Sequence, residues 1–247
     1  MASVREIRLY PVKGLDPVVV EAAQVLSSGA LEWDRRFALE DARGRFVNGK
    51  NRAEIYRIRA RFDLVRGEVS LDGATFSLLR QGDEIAAWFS ERQGDRVEWR
   101  EDTATGFPDD TVSPGPTLVS EASIESVAAW FGMEAAEARL RFRANIEIAG
   151  LEPFEEDRWY GREIRMGEVG WQAINPCARC VVPSCNPFTG AQDPGFQKRF
   201  MELRKQHLPD WAEARWFDHH YRFTVNTRIA AATEAGMTIR VGDEVAG

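Results

Sequence analysis

The chain has 247 residues, 44% of them hydrophobic and 29% charged, with a formal net charge of −7. This length and composition suit a soluble globular protein of one large domain or two interlocked smaller ones, and they leave no need for a metal or disulfide staple to complete the fold. The acidic balance, with a pI near 5.2, weighs against a nucleic-acid binder, which carries a basic footprint across its whole domain.

The opening "MASVREIRLY" sets Arg5, Glu6 and Arg8 where a signal peptide needs an apolar core. No later apolar run approaches the ~20 residues of a membrane span, so a cytoplasmic protein is expected. Residues 1 to about 100 read mostly as short strands and turns. In "VREIRLYPVKG" Ile7 and Leu9 alternate with charges up to a turn at Pro11 to Gly14. In "EVSLDGATFSLL" Val69 and Leu71 face Phe76 and Leu78 across Asp72-Gly73, a two-residue hairpin signal. The turn-rich "DTATGFPDDTVSPGPT", residues 102–117, predicts a linker or long loop.

In "SEASIESVAAWFG" Ile124, Val127, Ala128 and Phe131 recur at helical spacing, with Ser120 or Ser123 as cap and Gly132 as terminator, which predicts a helix over 120–131. Strands are expected in "RLRFRANIEIAG", "REIRMGEV" and "WQAIN". A second helix is expected over 194–206, capped by Asp193, with Pro194 at its first position and Phe196, Phe200 and Leu203 on one face. "RWFDHHYRFTV" and "GMTIRVGDEV" read as closing strands. No internal repeat or low-complexity tract is present.

Cys177, Cys180 and Cys185, the chain's three cysteines, all lie in "INPCARCVVPSCNPFTG". A reducing cytosol and an odd count turn attention from disulfides to metal binding or reactive chemistry. Cys177 and Cys180 are half of a zinc site that Cys185 and one of His207, His219 or His220 would complete, although no second closely spaced ligand pair exists. A thioredoxin-like dithiol needs a helix directly after the motif, where "CVVPSC" stands instead. A single exposed thiolate beside Arg179, serving a soft-tolerant transition metal, and cysteines buried as small apolar residues complete the readings, and spacing alone does not separate them.

"PCARCVV" followed by "NPFTG" resembles the cysteine motif of the MOSC family. "IRLYPVKGL", "DRRFALED", "GRFVNGKN", "LVSEASI", "FRANIEIAG", "DRWYGREIRMGEV" and "GMTIRVGDEV" are similar, in the same order, to segments of an N-terminal β-barrel domain joined to a MOSC domain. The resemblance implies a mainly β fold with a few helices (α+β), in two intertwined β-barrel parts divided as 1–101 and 102–247. It implies a molybdenum cofactor of the molybdopterin type, with Cys180 as the metal's protein thiolate and a phosphate-bearing pterin held by Lys13, Gly14, Arg35, Lys50, Ser120, Arg143, Asn145 and Arg179. Asn51, beside Lys50, and Ser123, beside Ser120, are expected to reach the same pocket. Arg suits the task because its planar fork binds oxyanions bidentately. Cys177 is expected to be a packing residue and Cys185 has no assigned role. Gly14, Ala144 and Ala178 depart from the family's pattern, in which Ser is common at the first and third positions and Pro at the second.

The activity implied by the resemblance is reduction of N-hydroxylated compounds, N–OH to N–H. Its electrons would come from a separate ferredoxin-like or haem-carrying protein, since the chain has neither the cysteines of an iron–sulfur domain nor a dinucleotide fingerprint. Pyridoxal phosphate binding is a secondary family association. The competing classes are a cofactor or sulfur carrier without turnover, and a zinc-stapled family member.

Overall fold

Strand β1 (Ser3–Leu9) buries Val4, Ile7 and Leu9 on one side of a sheet that it shares with segments far along the chain. The computed structural model describes residues 1–231 and 236–247. After β1 come β2 (Val18–Val20), β3 (Ala22–Gln24) and β4 (Phe37–Asp41). Strands β5 (Ala60–Asp63), β6 (Glu68–Leu71) and β7 (Ala74–Ser77) form an antiparallel meander. Its β6–β7 turn is the expected one: Val69 lies opposite Phe76, and Asp72 and Gly73 both take positive φ, 46° and 94°, as a type I′ turn requires.

Helix α1 (Gly82–Gln93) corrects the reading of residues 1–100 as strands and turns. Ile85 and Phe89, four positions apart, bury against the first-half core with Val97 and Leu39, and Gly94 (φ 66°) ends the helix in the left-handed conformation. Strand β8 (Val97–Glu101) then pairs with β4. Residues 102–117 hold no named element, as their turn-rich composition predicted.

Beyond that loop lie β9 (Leu118–Ser120), α2 (Glu121–Phe131), α3 (Ala135–Phe142), β10 (Ile146–Ala149), β11 (Glu163–Met166) and β12 (Val169–Ala178). Helix α4 (Phe196–Gln206) and strands β13 (Arg222–Ile229), β14 (Thr238–Arg240) and β15 (Val245–Ala246) complete the fold. Helix α2 follows its sequence pattern: the Ser120 hydroxyl accepts from Ser123 N–H, Ile124, Val127 and Ala128 are buried, and Gly132 (φ 64°) closes the end. The strand expected from Arg139 onward begins only at Ile146. Before it, Ala138 and Phe142 bury at i and i+4, and an Arg141–Glu137 pair at 2.7 Å braces α3.

Helix α4 also differs from expectation. Gly195, not Asp193, occupies the cap position, and the Asp193 carboxylate is committed to Arg141 at 2.8 Å. Arg204, 1% exposed, takes the buried place after Phe196 and Phe200, while Leu203 is half-buried. The strand read into "RWFDHHYRFTV" starts at Arg222; Ala214–Trp216 is a 3-10 turn and His219–His220 lie in a bend.

The main sheet has eight strands in the order β15-β11-β12-β13-β9-β10-β1-β2, antiparallel except for β9–β10. First-half strands are therefore built into second-half structure: β1 pairs with β10, and β3 with β14. The architecture is mainly β with four α-helices among the described residues, as expected. Among those residues, no helix is long and apolar enough to cross a membrane.

Candidate functional site

A cavity of about 140 Å³ lies where the first-half loops meet the ends of α3, β12 and β13. Of the nine residues that the sequence pointed to, Lys13, Gly14, Arg35, Lys50, Arg143, Asn145, Arg179 and Cys180 line it. Ser120 does not. It is fully buried, its hydroxyl donating to Ser123 Oγ at 2.7 Å and its N–H to Glu156 at 3.1 Å, so it caps α2 and ties the helix to the Glu155–Trp159 turn. Asn51 and Ser123 lie outside the lining as well; the Asn51 amide bonds Phe46 O at 2.9 Å.

Lys13 follows a short parallel bridge between Val12 and Phe37, and its N–H donates to Phe37 O at 2.8 Å. Gly14 stands at φ 92°, where a Cβ would sit 3.1 Å from Asn48 Cα, so glycine lets the loop carrying Lys50 close over the cavity. The buried Lys13 side chain points its Nζ at two acceptors in the 102–117 loop: Phe107 O and Asp109 Oδ1, each at 2.8 Å. Lys50 Nζ reaches the same Asp109 oxygen at 3.2 Å. Burial lowers the Lys13 pKa and Asp109 opposes that shift. Desolvation disfavours the Asp109 charge, yet Lys13 and Lys50, with Arg35 behind them, hold its carboxyl below the ordinary carboxylate range.

Arg35 pairs with Asp34 and lies 5.3 Å from the Tyr10 ring. Asn145 holds it from the other side, Arg35 Nη1 donating to Asn145 Oδ1 at 3.4 Å. The Asn145 side chain otherwise accepts from Thr117 N–H at 3.2 Å and from the Thr117 hydroxyl at 3.3 Å, and donates to Arg8 O at 3.0 Å. It acts by positioning Arg35 and the start of β9.

Arg143 is the left-handed terminator of α3 (φ 52°), which turns its side chain to donate to Leu15 O at 2.8 Å and to stack 4.1 Å over Tyr10. Burial lowers its pKa and raises that of Tyr10. Arg179 donates to Phe142 O at 2.6 Å, to Cys177 Sγ at 3.2 Å and to Thr224 Oγ1 at 3.4 Å, and its Nε is buried without a partner. Among the described residues, neither Arg143 nor Arg179 forms an ion pair.

Cys177 and Cys180 are both half-buried and both line the cavity, so Cys177 is not the packing residue that was expected. Cys185 is the buried one; its Sγ lies 3.8 Å from Val181 O. Cys185 also neighbours Tyr56, whose hydroxyl is pushed up by burial and by that thiol. The segment after Cys180 is a 3-10 turn, Val182–Ser184, and α4 begins only at Phe196, so no helix N-terminus serves a dithiol. Among the described residues, no three His, Cys, Asp or Glu side chains are grouped to hold a metal ion, which removes the zinc set; His207 stacks on Trp130 instead, at 5.2 Å.

The sequence reading missed Asp109, Asp34, Tyr56 and Arg59 in the lining. Asp109 sits in a stretch whose composition signals only a loop, and nothing local marks it as a partner of Lys13, 96 positions away.

Family models match the chain in two places: the MOSC N-terminal beta barrel domain over residues 1–72 and the MOSC domain over residues 116–246. The molybdenum cofactor sulfurase of Caenorhabditis elegans is 29% identical over 53% of this chain and 18% of that protein. The corresponding protein of Oryza sativa subsp. japonica is 26% identical over 75% of this chain and 28% of its own length, so this chain spans less than a third of either sulfurase. Mitochondrial amidoxime reducing component 2 of Bos taurus is 25% identical over 78% of this chain and 69% of that one. Among solved structures, the YUAD protein from Bacillus subtilis aligns over 99% of this chain and 94% of that one, with a TM-score of 0.41 and 11% identity. With both domain models matched in order, and the second spanning more than half of the residues, the chain belongs to the MOSC domain family.

Proposed function

We propose that the chain is an oxidoreductase that holds a molybdenum cofactor and reduces N-hydroxylated compounds, N–OH to N–H, with electrons from a separate redox protein. The observation that carries this reading is the convergence of the Cys180 thiol with Lys13, Arg35, Lys50, Arg143 and Arg179 on one cavity. The names of the relatives, molybdenum cofactor sulfurase and mitochondrial amidoxime reducing component, supply the chemical class.

The residues fit an anionic pterin cofactor with a thiolate-bound metal. Arg143 and Arg179 line the cavity with no carboxylate partner among the described residues, so two guanidinium charges there are available to an anion. Cys180 would hold the metal through its sulfur, with Lys13, Lys50, Arg143 and Arg179 on the phosphate and pterin oxygens. Gly14 contributes close backbone approach and Asn145 fixes Arg35. The bound cofactor supplies a centre that delivers two electrons and accepts the oxygen of the N–OH group.

The chain's own part is positional. Val182, Pro187 and Ile55 wall the cavity, and Tyr56, held protonated on Oη, is a hydrogen-bond donor in the lining, 3.3 Å from Gly49 O. The electron donor is proposed to be a ferredoxin-like or haem protein, and the compartment the cytoplasm.

The sulfurase relatives, together with a second cavity thiol at Cys177, favour one other reading: a carrier of the cofactor or of sulfur that turns over no substrate. Molybdenum and pterin analysis of protein from a cofactor-competent host, alongside N-hydroxy reduction with a chemical electron donor, separates the two. The oxidoreductase reading expects bound molybdenum with turnover, both lost in Cys180→Ala. Bound cofactor without turnover under any donor supports the carrier, and full activity in a folded Cys180→Ala protein overturns the ligand assignment.

A further inference from the structure

Two ammonium groups converge on one carboxylate oxygen at the cavity mouth. Lys13 Nζ, on a side chain only 8% exposed, and Lys50 Nζ, on one 40% exposed, both bind Asp109 Oδ1, at 2.8 and 3.2 Å. The Asp109 side chain itself is 58% exposed, so it reaches into the cation pair from solvent. Its neighbours are pinned. The Phe107 ring packs 5.2 Å from Phe46, and the Asp110 carboxylate accepts from Val112 and Ser113 N–H and from Asn226 Nδ2. Rotation of the Asp109 side chain alone therefore releases both lysines from the carboxylate, with Lys13 still bonded to Phe107 O and no opening of the loop.

We propose that Asp109 is a built-in competitor that sets the charge threshold of this anion site: a dianionic oxyanion such as a phosphate monoester displaces its carboxylate from Lys13 and Lys50, and a monoanion does not. The physical reason is a like-for-like exchange. A monoanionic ligand replaces one singly charged oxyanion by another and loses translational freedom in doing so, whereas a dianion gains a second unit of attraction from the same two cations. Arg35, whose charge also reaches Asp109, is already paired with Asp34 and adds little to discriminate between ligands. The two cations thus discriminate between the ligands, and the competing carboxylate sets how much attraction any ligand must exceed. The inference deepens the cofactor reading and rests on it for the identity of the anion, but its test needs no molybdenum.

The experiment titrates the full chain, prepared without pterin, with phenyl phosphate and with benzenesulfonate at pH 8, by calorimetry. The native protein is expected to bind the phosphate ester at least about tenfold more tightly than the sulfonate. In Asp109→Asn the cost of displacing the carboxylate is gone for both ligands alike, so both gain by about tenfold, the equivalent of 1.4 kcal/mol, and their ratio is kept. Asp109→Glu keeps the native affinities, and Lys13→Met with Lys50→Met abolishes binding of both. Unchanged or weaker binding of both ligands in Asp109→Asn, or no binding to either protein, overturns the proposal. If Asp109→Asn melts early, Asp109→Ser is read by the same criteria. Molybdenum content of protein from a cofactor-competent host is scored separately, so an affinity gain in Asp109→Asn without molybdenum refutes the cofactor reading alone, and molybdenum without an affinity gain refutes this one alone.

Discussion

Arg179 Nη1 donates to Cys177 Sγ at 3.2 Å, so the guanidinium that stands between the two motif cysteines in sequence is turned toward the first of them. The same guanidinium reaches Phe142 O at 2.6 Å, which locks the end of β12 to the end of α3. Cys177 thereby orients a cavity cation, and Cys180 is left free of that contact. Cys177→Ala is expected to keep bound molybdenum and to lower N-hydroxy reduction by several-fold, whereas Cys180→Ala loses both. Metal analysis and steady-state rates on the two variants check this, and equal losses in the two would contradict it.

Glu156 is 1% exposed, accepts from Ser120 N–H at 3.1 Å and from the Ser123 hydroxyl at 3.0 Å, and adjoins Asp157. Burial, with Asp157 second, pushes its pKa from 4.5 up to about 7. Between those values the native state binds more protons than the unfolded chain, so stability falls as pH rises. The contribution is fully present below 4.5 and lost once pH has passed about 7. The expected loss is on the order of 3 kcal/mol, because each tenfold difference in proton affinity between the folded and unfolded chain is worth about 1.4 kcal/mol. Thermal melts of the native protein at pH 5 and pH 8 should differ accordingly. Glu156→Gln, which mimics the protonated acid, should flatten most of the difference; an unaltered pH dependence in that variant would contradict the assignment.

Gly14 holds φ 92° against Asn48, and a side chain there meets backbone atoms at 3.1 to 3.2 Å. Gly14→Ala is therefore expected to cost about 1–2 kcal/mol in chemical denaturation. It should also weaken phenyl phosphate binding, because the Asn48–Lys50 loop is displaced. Native stability and affinity in this variant would show that the loop closes without the glycine.

The interlocked strands make a prediction about division of the chain. Residues 102–247 alone lack β1, which pairs with β10, and β3, which pairs with β14, and they would expose the faces that Ile7, Leu9 and Ala23 cover. That fragment should show no cooperative unfolding transition by itself and should regain one when co-expressed with residues 1–101. A cooperative melt of the isolated fragment would make the two parts independent.

Much was legible in the chain before folding was considered. The 120–131 helix, its Ser120 cap and Gly132 end, and the Asp72-Gly73 turn depend on contacts within a few residues, and so they are written in local spacing. The ordered family segments identified eight of the nine expected cavity residues, since a motif conveys a site that periodicity cannot. The failures have a common cause. Leu140 and Phe142 alternate with charges as a strand would, but their helix is set by burial against α2 and the Val182–Ser184 turn, which no local window contains. Ser120 looked equally suited to a cap and to a ligand, and only its burial beside Glu156 decided between them.

The sequence by itself determined the family and the mainly β class and named the candidate thiol and cations, because these rest on residue types in a fixed order. Only the tertiary structure decided which of them meet. It placed Cys177 beside Arg179 in the cavity, removed Ser120 from it, and brought Asp109 between Lys13 and Lys50 from a loop with no chemical signature. The physical reason is range: electrostatic pairing across nearly a hundred residues depends on where the backbone returns, and that is fixed by the shared sheet and core, not by any local pattern.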